Sequence, residues 1–202
     1  MTRMIELLRA EHRDIEELLV VLEDELNTFA RQERPDYEII QAVISYFQDY
    51  PDCCHHPKED MIFDKLKARD PVAAKTVGDF EAEHRNEGER LQRVANIVRS
   101  ILLDHDVSRQ KFDDIMLDFI RHQRQHMAME ERVLFPAAVD ALRPEDWAAI
   151  ESKWSEKEDS LFNVAIEERC HSLRDRVLRW EQENRENRNL TGPKSPQTNH
   201  LY

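Results

Sequence analysis

The chain has 202 residues, 35% of them charged, with only three glycines and a formal net charge of −13 at pH 7. This composition describes a strongly helical chain long enough to bury a core. It excludes a nucleic-acid or anionic-membrane partner, because no basic stripe is present to replace the counterions of phosphates. No apolar run reaches the roughly 18 residues of a membrane span, and Met1-Thr2-Arg3-Met4-Ile5-Glu6 lacks a signal-peptide core, so a cytoplasmic location is expected.

In chain order, Ile5, Leu8, Ile15, Leu19 and Leu22 fall on one face of a first helix, and His12 lies on the same stripe. After a polar connection from Thr28 to Pro35, a second helix carries Ile39, Val43, Tyr46, Phe47 and Tyr50. It runs through Pro51, Cys53-Cys54 and His55-His56-Pro57 to Met61, Ile62 and Leu66. A third is expected from about Pro71 to Leu103, with Val77, Phe80, Leu91, Val94, Val98 and Ile101 inward and His84 on the stripe. A fourth begins with Ser108 as N-cap and carries Phe112, Ile115, Phe119, His122, His126, Val133 and Ala137 on one face. The expected fold is all-α, an up-down-up-down four-helix bundle over residues 1–142 with extra C-terminal helices.

Arg143-Pro144-Glu145-Asp146 marks a new helix start and opens a C-terminal helical extension over residues 143–187. Its apolar residues, among them Trp147, Ile150, Trp154, Val177 and Trp180, either pack on the outside of the bundle or join two subunits as a homodimer. Residues 188–202 turn polar, with Gly192, Pro193 and Pro196, and are expected to form a disordered tail. Cys53, Cys54 and Cys170 form no Cys-x-x-Cys pair and no disulfide framework, so reduced thiols are expected.

One phrase occurs twice. Glu11-His12 is followed roughly 40 residues later by His55-His56-Pro57-Lys58-Glu59, and Glu83-His84, at nearly the same interval, by His126-Met127-Ala128-Met129-Glu130. Residues four apart on a helix share a face, so His55 with Glu59 and His126 with Glu130 each direct an imidazole and a carboxylate to one point. With His12 and His84 from the other two helices, four imidazoles and two carboxylates converge, a ligand set for two metal ions. Taken singly, a His on an apolar stripe is a hydrogen-bonded core residue and a helical Glu is an exposed carboxylate; the four segments in order outweigh that reading. Imidazole with carboxylate and no thiolate suits iron, manganese or zinc and argues against a closed structural zinc site. Two carboxylates can bridge two ions, and two terminal His per ion leave a position open for binding or reaction.

Three local points stay open. His56 and Asp60 form a rival pair at the same spacing, rotated about 100 degrees around the helix; His55 with Glu59 matches the second repeat in residue type, which leaves His56 as an additional ligand or a support to one. His122, one turn before His126, is an additional ligand, a support to one, or a packing residue. Pro57 removes the backbone hydrogen bond to the Cys53 carbonyl. Either a kink or widened turn there re-aims His55, or a helix begins near Pro57 with His55 in the preceding turn.

The segments Leu8-Arg9-Ala10-Glu11-His12, His55-His56-Pro57-Lys58-Glu59-Asp60, Glu83-His84 and His126-Met127-Ala128-Met129-Glu130-Glu131, the last leading to Leu134-Phe135-Pro136, span roughly residues 1–140. As an ordered set they resemble the hemerythrin-like proteins of the HHE cation-binding family. The resemblance implies a non-haem centre of two iron ions, oxo- or hydroxo-bridged, within a four-helix bundle. It implies that His12 and His55 hold one iron and His84 and His126 the other, with Glu59 and Glu130 as bridging carboxylates. Oxygen-carrying members supply two His one turn apart from the third helix, whereas Phe80 and Gly88 stand four residues from His84 here. One iron is then more open unless His122 fills the place. Gly88 either leaves room for a small diatomic ligand or peroxide or allows close helix packing.

Three functions remain compatible: a di-iron protein that binds, senses or reacts with oxygen, peroxide or nitric oxide beside an unidentified redox partner; a carrier of oxygen or store of iron without turnover; and a metal-poor helical interaction module. A more open iron favours the first. A ferritin-like oxidase is disfavoured because such bundles use Glu-x-x-His on two helices. Glu81-Ala82-Glu83-His84 fits that pattern once, but Arg9 stands three residues before His12.

Overall fold

The computed structural model describes residues 2–31, 33–103, 105–158 and 161–191, and among them the regular structure is entirely helical. Helix α1 spans Arg3–Ala30 and buries Ile5, Leu8, Ile15, Leu19 and Leu22, with Glu11 and His12 buried on the same side. Helix α2, Tyr37–Tyr50, starts at Asp36, whose carboxylate accepts from the amides of Glu38 and Ile39. It continues without interruption through a π-turn, Pro51–His55, into α3, His56–Arg69. In that widened turn the amide of His56 reaches back five residues to the Pro51 carbonyl. Pro57 lacks the amide that would bond the Cys53 carbonyl. The widened turn, rather than a loop before a new helix, is therefore what the proline accompanies.

The expected third helix is two helices. Helix α4 covers Pro71–Val77 and α5 covers Phe80–Leu102. Gly78 between them has φ 94°, in the left-handed region that glycine enters without a Cβ clash. Asp70 caps α4 through the amides of Val72 and Ala73, and Asp79 caps α5 through that of Ala82. The apolar period ran across the break because Val77 and Phe80, on either side of it, are both buried.

Helix α6, Arg109–Met129, begins at Ser108, whose hydroxyl accepts from the Lys111 amide. It passes through a second π-turn, Glu130–Leu134, into α7, Phe135–Ala141, and the amide of Phe135 reaches the Glu130 carbonyl. Both π-turns end two residues before a proline, Pro57 or Pro136, so the missing amide falls where the α-ladder resumes. Helix α8 follows at Pro144–Glu158 and α9 at Leu161–Thr191. Residues 188–191 of the expected tail continue α9, and residues 192–202 lie outside the described residues.

Packing closes a ring: α1 lies on α6, α6 on α5, α5 on α2 and α2 on α1. Helix α9 runs along α2 and α1, placing Cys170 and Val177 in the core, so its apolar side faces its own chain. Helix α8 packs on α3, and Arg69 Nε and Nη2 donate to the two Asp146 carboxylate oxygens at 2.8 and 3.0 Å, pinning its start. The three cysteines are free, Cys54 and Cys170 buried and Cys53 half-buried. No helix among the described residues is long and apolar enough to cross a membrane.

Two apolar clusters result. One holds Ile15 onward on α1 with most of α2, α5 and α6; the other joins Met4, Ile5 and Leu8 to α3, α4, Phe80, α7 and α8. Leu22, fully buried in the first, makes the core testable. Leu22→Ala should destabilise the metal-free protein by about 2–5 kcal/mol in urea unfolding, and a loss below about 1 kcal/mol would contradict this packing.

Candidate metal centre

Between the two apolar clusters lies a layer of buried polar side chains. On α1 it is Glu11 and His12, between Leu8 and Ile15; around α3 it is His55, His56, Lys58 and Glu59, between Cys54 and Ile62. Helix α5 adds buried Glu87 and half-buried His84, and α6 with its π-turn adds His126 and Glu130. Each segment thus carries its polar residues at the same level of the bundle, on the face that would otherwise continue the core.

Within this layer the ligand-type atoms form two groups. Those of His12, His55, Glu59 and Glu130 lie within 4.8 Å of one another, and so do those of His56, Glu59, His84 and His126. Glu59 belongs to both. Its Oε1 stands 3.3 Å from His55 Nε2 and 3.5 Å from His12 Nε2, and its Oε2 stands 3.7 Å from His84 Nε2. Glu130 also faces both ways, with Oε2 3.3 Å from His12 Nε2 and Oε1 2.9 Å from His126 Nε2.

Both carboxylates have 0% exposure, and none of their oxygens has a partner in hydrogen-bond geometry; nor have His12 Nε2, His84 Nε2 and His126 Nε2. The nitrogens come close but off the hydrogen-bond direction, so nitrogens and oxygens converge on a shared space instead of pairing. Buried polar atoms left this way are costly. A cation in that space would satisfy them, so the donor set fits a pair of metal ions.

The opposite edge of each ring explains the aim. His12 Nδ1 lies 3.0 Å from Glu131 Oε1, His55 Nδ1 2.8 Å from Glu11 Oε2, His56 Nδ1 3.2 Å from Asp52 Oδ1 and His84 Nδ1 3.3 Å from Asp60 Oδ1. A carboxylate that accepts a hydrogen bond from Nδ1–H keeps the proton on that nitrogen and leaves the Nε2 lone pair for the core, the usual support of a metal-binding imidazole. His126 differs, because its Nδ1 is buried without a partner. Phe135 stacks on His12 at 5.7 Å between ring centres, and Phe80 sits 4.4 Å from His84 and 5.9 Å from His126, walling the layer with apolar surface.

The electrostatics follow from burial and charge. Burial alone would favour neutral imidazole at His12, but the Glu130 and Glu59 carboxylates outweigh it and push its pKa up to about 10. His55, His56 and His126 are likewise pushed up to about 9 against the effect of burial: Glu59 and Glu11 act on His55, Asp52 and Glu87 on His56, Glu130 on His126. Burial opposes ionisation of Glu59, yet His55, His12 and His84 hold it well below the ordinary carboxylate value.

The profile of the hemerythrin HHE cation binding domain matches residues 3–146 of the sequence. The chain belongs to the hemerythrin HHE cation-binding family. No curated protein and no solved structure gives a significant match. The stretch matched by the HHE domain contains every residue of both groups and ends in the first turn of α8.

For this HHE chain, the structure brings His12, His55, Glu59, His84, His126 and Glu130 together with His56, the expected additional residue, and adds Glu87. His56 is not a rival to His55 but stands in the other group. Glu87, three residues after His84, is buried, with Oε2 2.9 Å from His56 Nε2 and 3.8 Å from His126 Nε2 and with Oε1 unpartnered. Its signal was legible as the i+3 position of His84, on the same face as the i+4 position held by Gly88. His122 stays outside both groups, its Nε2 4.0 Å from Glu83 Oε2. Gly88 is exposed, and a Cβ there would meet nothing within 4 Å, so it neither permits close helix packing nor hollows out the core. His105 and His171 are exposed, and His200 lies outside the described residues.

The charge pattern fixes a pH dependence for the metal-free protein. Raised imidazole pKa values mean stabilisation that is whole below the ordinary 6.5 and is lost as pH climbs through about 9 to about 10. The lowered Glu59 means stabilisation present above the ordinary 4.5 and lost as pH falls below it. The melting temperature should therefore peak between pH 4.5 and 6.5 and decline toward pH 10; a flat profile from pH 6 to 10 would contradict the pairing.

Proposed function

We propose that the chain holds two iron ions and that the loaded centre binds, senses or reacts with a small oxidant: oxygen, peroxide or nitric oxide. The observation that carries this reading is that Glu59 belongs to both groups and Glu130 faces an imidazole of each, while the oxygens of both and Nε2 of His12, His84 and His126 lack partners. His12 and His55 would hold one ion and His84 and His126 the other, with Glu59 and Glu130 touching both. His56 belongs with the second ion, and Glu87 adds a carboxylate to its surroundings. The four helices of the ring are proposed to run alternately up and down, joined by the short connections at residues 31–36 and 103–108.

Iron bound there supplies a redox couple and a coordination position open to a small molecule. The chain's residues do the rest. Glu131, Glu11 and Asp60 hold Nδ1 protons and so fix the Nε2 lone pairs of His12, His55 and His84. Phe80 and Phe135 exclude water from the layer, which strengthens each charge interaction inside it. The extra carboxylate Glu87 favours the more positive oxidation state of the second ion and supports redox reaction over reversible carriage. The imidazoles must shed their protons to ligate, so metal uptake releases protons and tightens as pH rises. Free thiols fit a reducing compartment, which supports a cytoplasmic location.

The test is iron analysis of protein purified without oxygen, followed by separate exposure to oxygen, peroxide and nitric oxide with the oxidant's consumption measured. Two irons per chain and consumption of at least one oxidant are expected, with His126→Ala losing about one iron. A stable oxygenated spectrum without consumption would make the chain a carrier. Protein without stoichiometric iron would sink the reading and leave a helical interaction module.

A further inference from the structure

Lys58 keeps only 1% of its surface exposed, a place where an isolated ammonium is strongly disfavoured. Two contacts hold it. Its Nζ donates to Glu11 Oε1 at 2.5 Å, and it stands 4.5 Å from the centre of the Trp154 ring. Glu11 turns its other oxygen to His55 Nδ1. Trp154 is buried in α8, beyond the stretch matched by the HHE domain. An unbroken line of contacts thus runs from a residue beyond that stretch to an imidazole facing the first group of ligand atoms.

The second half has no counterpart. The residue before Glu130 is Met129 where the first half has Lys58, Glu83 is only half-buried where Glu11 is buried, and His126 Nδ1 has no partner. The relay therefore acts on one side of the centre only.

We propose that Trp154 and Lys58 are positioning residues for the His55 side of the centre, making α8 a working part of the metal site rather than a cover. The inference rests on the two-metal reading given above. Lys58 fixes the Glu11 carboxylate, and Glu11 keeps the proton of His55 on Nδ1 and aims Nε2 at the first group. The face of Trp154 replaces water around the ammonium through a cation–π contact. Without it, water reaches Lys58, the ammonium swings away from Glu11, and His55 loses its fixed orientation. Outer contacts of this kind alter metal affinity by about 10–100-fold.

The experiment titrates the full-length metal-free protein with cobalt(II) and follows its visible absorption, with thermal unfolding run alongside to monitor the fold. The unmutated chain takes up two ions. Trp154→Ala and Lys58→Met should keep one tight uptake and weaken the other by about 10–100-fold, changing the bands of that ion alone. Trp154→Phe, which retains an aromatic face, should restore much of the loss. In a His12→Ala background, where the first group is already incomplete, Trp154→Ala should cause no further weakening. Trp154→Ala binding both ions like the unmutated chain would overturn the proposal, and so would equal weakening of both, the mark of a general loss of fold. Fewer than two ions bound by the unmutated chain would instead bring down the two-metal reading beneath it, a failure visible before any substitution is made.

Discussion

Glu59 and Glu130 are fully buried carboxylates at the level where the helices of the ring meet, and their oxygens point into one small space. An ionised carboxylate in apolar surroundings requires positive charge beside it. Here that charge comes from imidazoles on four different segments, carried either as protons or as the metal ions proposed to replace them. The requirement shapes everything around it. It cuts the apolar core into two clusters, because no continuous hydrophobic stripe can pass through the layer. It also accounts for the outer carboxylates, since an imidazole aimed by Nε2 must find a place for its Nδ1 proton.

The two halves of the chain meet this requirement unequally. His12 and His84 are supported crosswise, by Glu131 after Glu130 and by Asp60 after Glu59, so the residue following each shared carboxylate serves the other half. His55 and His126 part company. His55 is held by Glu11 and through it by Lys58, while His126 has no Nδ1 partner and lies near Glu87 instead. One side of the layer is thus fixed by a buried ion pair, and the other carries a third imidazole, His56, with Glu87 beside it. Two ions held there would differ in charge environment and in reactivity.

Much of this was legible in the sequence. The stripe positions of His12 and His84 and the four-residue spacing of His55 with Glu59 and His126 with Glu130 placed six side chains at one level, because helical period translates directly into direction. Pro57 signalled a local irregularity, and a widened turn is present. What the period could not show is that the π-turn lets His55 and His56 enter different groups, since neighbours on a regular helix diverge by about 100 degrees. The second π-turn before Pro136 escaped for the same reason, and the Gly78 break was hidden by apolar residues on both sides of it. Glu87 sits at the i+3 position of His84 and lies outside the repeated phrase, so no spacing shared by the two halves marks it. Glu11 was visible as part of the repeated phrase, but its role depends on a contact with residues 44 and 47 positions away in the chain, which no local pattern encodes.

Two metal ions are proposed to occupy the layer between the apolar clusters, with Glu59 and Glu130 reaching both. Diffraction from crystals of the iron-loaded protein, recorded above and below the iron absorption edge, tests this arrangement most directly. Two anomalous peaks are expected, one within bonding distance of His12 and His55, the other of His84 and His126, with Glu59 and Glu130 reaching both. A single peak, or iron bound away from these carboxylates, would contradict it.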